Sequence, residues 1–231
     1  AQFLLLLFVT LAVADDPNAY LAFKLNSTRM GKVMDSFRLK AESLMRNSKY
    51  NKLDASMSFI PSNRLEVRLI DFYYDAAEHR QMIPGILAKA SAALCSTYPR
   101  YLAFDDYYRD DTFVKGGIQD LDNTRFEELA KALNDYGIVY EKESGISNEK
   151  AGFVAAYDFV LTDKKNSGDF LDELLEEPLH SSAFIDTIHL CVGADQYCED
   201  SHTMASWKIK QCGSGDRFAS YGRLGRDSNE D

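Results

Sequence analysis

The stretch IDFYYD at residues 70–75 decides the predicted fold, because it returns, with one inserted residue, as YDFVLTD at residues 157–163. Two further pairs keep the same order along the chain. LNSTRM at 25–30 returns as LDNTRF at 121–126, and DDYYRDD at 105–111 returns as ADQYCED at 194–200. A repeat of roughly ninety residues has the size of a small domain rather than of a solenoid unit. The sequence therefore predicts two similar domains.

Both copies show the same order of hydrophobic patterns. Apolar residues at helical spacing follow Thr28 in the first copy and Thr124 in the second, and both threonines are candidate N-caps. Alternating apolar residues predict one strand before each of these helices, two strands after it, and a last strand after a second helix. The order β-α-β-β-α-β is that of the split βαβ, or ferredoxin-like, unit. We therefore predict an α+β fold of tandem duplicated ferredoxin-like units with antiparallel sheets.

The predicted boundaries follow the repeat. Residues 15–110 form the first domain and residues 111–200 the second. DRF at 216–218 echoes TRF at 124–126. The remainder, 201–231, is therefore either a C-terminal strand and tail or a truncated third repeat.

The beginning of the sequence resembles a secretion signal. Residues 1–14 carry no charge, and AVA at 12–14 has the small-x-small form that signal peptidase accepts. The apolar run is shorter than the roughly 20 residues that a membrane span needs. A buried core helix is the alternative interpretation. We predict a signal peptide over 1–14, a secreted protein, and no membrane span after its removal.

The composition narrows the classes of partner. With 45% hydrophobic and 27% charged residues the chain has the balance of an ordinary folded protein, and its net charge is −10. Nucleic-acid binding needs a basic stripe that attracts phosphates, and the sequence shows none. We therefore predict no nucleic-acid partner.

The cysteines and one sequon are typical of an extracellular protein. Secretion permits disulfides, and the four cysteines allow three pairings. The disulfide candidates are Cys95, Cys191, Cys198 and Cys212, and the last three are close enough in sequence for at least one local bridge. Asn26 begins an N-glycosylation sequon.

A metal site is the alternative use of the same residues. His189 and Cys191 lie two apart on a predicted strand and point the same way, with Cys198 and His202 nearby. Their spacing matches no recognised zinc pattern, and oxidising conditions favour cystine. We predict no metal and no cofactor.

Asp71 and Asp158 are the candidate ligand-binding carboxylates. Each lies in a predicted strand among apolar residues two positions away, such as Leu69 and Ala156. Desolvation in such a row raises the pKa of a carboxyl group, as a general acid requires. The simpler alternative is an open sheet face on which each aspartate hydrogen-bonds locally.

Arg29 and Arg125 recur at the first turn of the repeated helix. An arginine there opposes the helix dipole, so another contact must favour it. Anion capture at the helix N-terminus is one explanation, and a salt bridge to a neighbouring strand is the other.

A secreted tandem of such units is similar in layout to the SEA modules of extracellular proteins. Those modules cleave themselves at a Gly-Ser-Val turn, whereas this chain has PSNR at 61–64 and SGIS at 144–147, so self-cleavage is not implied. We predict a secreted, non-enzymatic tandem-domain protein that recognises another protein or an extracellular matrix component. The alternative is a small-molecule carrier or enzyme with a pocket between the two sheets near Asp71 and Asp158.

Overall fold

The fold is that of a computed structural model, which describes residues 17–26, 28–50, 55–95, 101–109, 113–118, 124–138, 140, 152–161, 164–194, 197–199 and 201–209. Eight strands and five α-helices lie in these ranges. The strands are β1 (Ala19–Asn26), β2 (Ala55–Phe59), β3 (Glu66–Phe72), β4 (Tyr101–Arg109), β5 (Phe113–Ile118), β6 (Gly152–Leu161), β7 (Ser181–Val192) and β8 (Thr203–Lys208). The helices are α1 (Thr28–Arg46), α2 (Ala76–His79), α3 (Ile83–Cys95), α4 (Thr124–Asn134) and α5 (Lys164–Leu175).

All eight strands belong to one antiparallel sheet in the order β1-β3-β6-β5-β4-β7-β8, with β2 on β6 and an additional pairing of β1 with β7. Six of the strands therefore form a closed hydrogen-bonded circuit. The sheet has two halves, β3-β1-β7-β8 and β2-β6-β5-β4. Short pairings of β3 with β6 and of β4 with β7 join them.

The predicted fold class, tandem ferredoxin-like units, is wrong. In such a unit the first strand would pair with the last strand of its own copy, which here is β4. Instead β1 pairs with β7, the last strand of the second segment, and β4 pairs with β5. Likewise β2 pairs with β6 rather than with β3. Each half of the sheet therefore takes strands from both segments, because the repeated patterns specify strands and their faces but not which copy supplies the partner.

The helices cover one face of each half. α3 contacts β7, β8 and α4, and α4 contacts β3. α1 contacts α5, and its Phe37 meets Phe59 of β2 and stacks on Tyr107 of β4, with 4.4 Å between the ring centroids in the stacked pair. The buried apolar residues under α1, α3, α4 and α5 form one continuous core. Among the described residues, no helix has the length and apolar character needed to cross a membrane.

A β-bulge in the β1–β3 pair determines which side chains of β3 face this core. Leu21 faces Ile70 and Ala22 faces Arg68, so Leu69 has no partner of its own. Leu69 and Ile70 are both buried in the core, and the alternation of β3 is shifted by one residue beyond them. The bulge sends Asp71 to the face opposite the core.

Candidate functional site

Two polar features of the described residues are candidates for function. The first lies on the face of β3, β1 and β7 that points away from the core, where Tyr20, Ala22 and Cys191 form a small separate cluster with Cys198. The second is a cleft beside α1, described below.

Glu66 is the centre of the first feature. The hydroxyl of Tyr20 donates a hydrogen bond to its Oε1, and the backbone N–H of Cys198 donates to the same oxygen at 3.2 Å. On the other side, Nε2 of His189 lies 2.7 Å from Oε2. Glu66 and His189 are 7% and 5% exposed. A buried carboxylate is stable only with such partners, and we call Tyr20, Glu66 and His189 the Glu66 cluster.

The contact between His189 and Glu66 is close but not aligned as a hydrogen bond. Nε2 of His189 and Oε2 of Glu66 have no hydrogen-bond partner among the described residues, although the two atoms approach within ion-pair distance. A protonated imidazole would form an ion pair at this distance. The two buried atoms therefore contact each other without forming an aligned hydrogen bond.

Tyr20 stays a neutral donor in this environment. Burial raises the pKa of its hydroxyl far above the ordinary value, and the charge of Glu66 raises it further. The guanidinium of Arg68 lies over the Tyr20 ring, 3.8 Å from its centroid, and donates to the carbonyl oxygen of Ala194 at 3.3 Å. Arg68 thus closes one side of the cluster.

A disulfide loop covers the cluster. Cys191 at the end of β7 is bonded to Cys198, with 5.9 Å between their Cα atoms, and this is a local bridge of the kind that the sequence suggests. Sγ of Cys198 also lies 3.2 Å from the hydroxyl oxygen of Thr203. Glu66 and His189 are both buried, so neither side chain is open to a substrate in this conformation.

Asp71 lies beside the cluster rather than in an apolar row. Leu65, Val67 and Leu69 face the core, whereas the bulge turns Asp71 to the other face, 3.7 Å from Nε of Arg68. Desolvation nevertheless raises the pKa of the Asp71 carboxyl, and the Arg68 charge partly opposes this shift.

This raised pKa gives a pH-dependent expectation for Asp71→Asn. The native state binds more protons than the unfolded state from the ordinary value of 3.8 up to the raised pKa, so ionisation of Asp71 lowers stability as the pH rises through that window. Asparagine does not ionise. We therefore expect urea unfolding to show the variant gaining stability relative to the natural protein between acidic and neutral pH. A relative loss over the same interval would contradict the assignment.

The second feature is a cleft of about 410 Å³ between α1 and the segment that joins α5 to β7. We call it the cationic cleft, because four basic side chains line it. They are Arg29, Lys32 and Lys40 of α1 and His180. Glu177 is the single carboxylate among its lining residues. This surface is positive although the whole chain has a net charge of −10.

The rest of the cleft is largely apolar. Its other lining residues are Val33, Ser36, Phe37, Tyr107, Leu174, Pro178 and Leu179. The Tyr107 hydroxyl is buried and has no hydrogen-bond partner among the described residues, and burial raises the pKa of this hydroxyl well above its ordinary value. The cleft therefore combines one charged wall with an apolar wall, as ligand pockets of this size commonly do.

The predicted site residues are divided between these places. Arg29 lines the cationic cleft, and Asp71 lies near the Glu66 cluster. The side chains of Arg125, Asp158 and Cys95, and all of Cys212, lie outside the described residues. Asn26 is the last residue of β1, and its side chain also lies outside the description.

Sequence reasoning missed most of the other residues of both features. Arg29 and Lys40 are eleven residues apart, which is close to three helical turns, and Lys32 is less than one turn from Arg29. A basic stripe along α1 was therefore a detectable signal. His189 was recognised only as a possible metal ligand beside Cys191 and Cys198. Glu66 gave no signal, because only the exchanged pairing of β1 with β7 brings its strand close to that of His189.

No family model matches the sequence, and no curated protein is similar to it. Several solved structures are similar in fold. LigT of E. coli complexed with 3'-AMP has 12% identity and a TM-score of 0.47, over 86% of this chain and 100% of that chain. TT0787 of Thermus thermophilus has 10% identity and a TM-score of 0.48, over 84% and 98%. Usb1 of Kluyveromyces marxianus with uridine monophosphate has 11% identity and a TM-score of 0.48, over 84% and 98%.

These similarities correct the predicted function. A phosphoesterase is among the similar structures, and others are complexes with nucleotides or with phosphate. The predicted non-enzymatic recognition of another protein or of a matrix component is therefore wrong. The description as a secreted, ferredoxin-like binding module has no support from these structures.

The alternative pocket near Asp71 and Asp158 stays a prediction, because the side chain of Asp158 lies outside the described residues. Asp71 lines neither the cationic cleft nor a second cleft between α1 and the turn that joins β2 to β3. The secreted localisation and the signal peptide over 1–14 stay predictions.

Proposed function

We propose that the protein binds a small organic phosphate in the cationic cleft. The observation that carries this proposal is the convergence of Arg29, Lys32, Lys40 and His180 on one cavity of about 410 Å³. Guanidinium and ammonium groups are the side chains with which proteins bind phosphate. In a chain with a net charge of −10, this local group of basic side chains makes the cleft a place that attracts an anionic ligand.

The apolar wall supports an organic rather than an inorganic anion. Val33, Leu174 and Leu179 line the cavity, and Phe37 is fixed there by its stacking on Tyr107. A flat or aliphatic body that covers these side chains would bury apolar area, and this contributes roughly 25 cal/mol per Å². The phosphate group would then occupy the charged side, near α1 and His180.

Isothermal titration calorimetry with adenosine monophosphate as the probe tests this proposal. We expect Lys32→Gln to weaken binding about fivefold, since two unit charges 4 Å apart in water attract by about 1 kcal/mol. Lys131→Gln removes the same charge from the exposed face of α4 and is the matched control. Its affinity should equal that of the natural protein, and added salt should weaken both.

Inorganic phosphate and a small carboxylate complete the panel. Weaker binding of phosphate alone would support a contribution from the apolar wall. Preference for the carboxylate would contradict the ligand class. The absence of heat with all three probes, or equal affinities of the Lys32 and Lys131 variants, would contradict the site.

A further inference from the structure

Two residues of the Glu66 cluster, Glu66 and His189, lie with Cys198 in an arrangement of potential metal ligands. A carboxylate oxygen of Glu66, a ring nitrogen of His189 and Sγ of Cys198 all lie within 4.8 Å of one another, and all three residues are buried. They come from β3, β7 and the disulfide loop, so the fold rather than local sequence assembles them. Imidazole, thiolate and carboxylate are the three side-chain groups that bind zinc in proteins.

Two of these atoms lie 2.7 Å apart without an aligned hydrogen bond between them. Nε2 of His189 and Oε2 of Glu66 are buried and make no hydrogen bond with the described residues. The other carboxylate oxygen, Oε1, accepts from Tyr20 and from the backbone of Cys198. Such contacts orient a coordinating carboxylate in the way that outer partners do at known metal sites.

Cys191 is the candidate for a fourth ligand, because it is bonded to Cys198. It is two residues from His189 on β7, so both side chains are on the same face of the sheet, and its sulfur is bonded to that of Cys198. Zn–S bonds of about 2.3 Å and Zn–N bonds of about 2.0–2.1 Å put tetrahedral ligands about 3.3–3.8 Å apart. The disulfide keeps the two sulfurs closer than this distance, and Nε2 of His189 and Oε2 of Glu66, at 2.7 Å, would also have to move apart to bind one metal.

We propose that reduction of the Cys191–Cys198 disulfide creates a Zn²⁺ site formed by Glu66, His189 and the two cysteines. A dithiol reductant supplies two electrons and two protons, so the S–S bond becomes two thiols and the reductant becomes a disulfide. Zn²⁺ then binds both sulfurs as thiolates with the release of two protons, while His189 and Glu66 complete a tetrahedral set. The metal replaces the covalent bridge as the link between β7 and the loop.

The set favours zinc over harder cations. Two thiolates and an imidazole are soft or borderline donors, whereas Mg²⁺ and Ca²⁺ prefer oxygen ligands. The burial of Cys191 and Cys198, at 0% and 3% exposed, limits access of water and favours a closed structural site. Oxidised protein has no free thiolate in this cluster, so binding depends on the redox state.

Cobalt(II) is the probe, because thiolate-bound cobalt absorbs light through sulfur-to-metal charge transfer. The whole protein, reduced with a phosphine and freed of excess reductant, is titrated with Co²⁺, and Zn²⁺ is then added to displace the cobalt. We expect one equivalent to bind to reduced protein with charge-transfer absorption, and at least hundredfold weaker binding to the oxidised protein. Loss of native circular dichroism on reduction, restored by Co²⁺, would also support the site.

Variants assign the ligands. We expect His189→Gln and Glu66→Gln, in reduced protein, to weaken Co²⁺ binding at least tenfold, the usual scale for loss of a contact at a metal site. His79→Gln changes a histidine of α2, outside the cluster and the cationic cleft, and is the matched control for metal binding. If one of the two cluster variants fails to fold, the Co²⁺ affinity of the other is compared with that of the control. The absence of charge-transfer absorption in reduced natural protein, or equal affinity in both cluster variants and the control, would overturn the proposal.

Discussion

Glu66→Ala is expected to destabilise the fold by about 3–5 kcal/mol, the usual cost of removing one partner from a buried pair. The change leaves the Tyr20 hydroxyl and the Cys198 N–H without their acceptor. It also leaves His189 buried without the carboxylate 2.7 Å away. Each unsatisfied buried group adds to the loss. Guanidinium unfolding followed by fluorescence of the single tryptophan, Trp207 on β8, measures it.

Glu42→Ala is the matched control for this change. Glu42 lies on α1 and pairs with Arg46 at 3.4 Å, at the exposed surface. Exposed pairs one helical turn apart contribute only about 0.3–0.5 kcal/mol. If Glu66→Ala cost no more than Glu42→Ala, the Glu66 cluster would not be the buried, mutually dependent network that the contacts describe.

Gly152→Ala is expected to cost about 3 kcal/mol or more, the upper range for overpacking, because the obstacle is backbone. Gly152 begins β6 and faces Gly117 of β5. A Cβ atom at this position would lie 2.1 Å from the carbonyl oxygen of Gly116. The two strands could separate only by breaking the ladder between β5 and β6, which belongs to the closed circuit of six strands.

Gly168→Ala should change stability in the opposite direction. Gly168 lies in α5, and a Cβ atom there meets no heavy atom within 4 Å. Alanine in a helix is favoured over glycine by roughly 0.5–1 kcal/mol. A Gly152 variant as stable as the natural protein would show that β5 and β6 are not this close, whatever the Gly168 variant does.

The strand β1 was predictable from the sequence, but its neighbour in the sheet was not. Its alternating pattern is visible in the sequence, and the strand is present, but nothing in that pattern selects β7 over β4 as its neighbour. Strand pairing depends on contacts between residues far apart in the chain, whereas periodicity reports only which side chains share a face. The duplicated patterns made pairing within each copy the obvious expectation.

The candidate sites show the same division between local and long-range information. Arg29 was found because the repeat drew attention to it, and the basic stripe with Lys32 and Lys40 is also local to α1. Alternation predicts that Asp71 shares a face with Leu69, and the bulge at Leu69 puts the two side chains on opposite faces. Glu66 and His189 lie on β3 and β7, far apart in the chain, and only the fold brings them into contact.

Histidine side-chain NMR tests the central claim, that an organic phosphate binds in the cationic cleft. The chain has four histidines, of which His180 lines the cleft and His189 lies in the Glu66 cluster. Titration of the ¹⁵N-labelled, oxidised protein with adenosine monophosphate should shift the ring resonances of His180 progressively and leave those of His189 unchanged. Shifts at His189 with none at His180 would contradict the claim and move the ligand to the opposite face of the sheet.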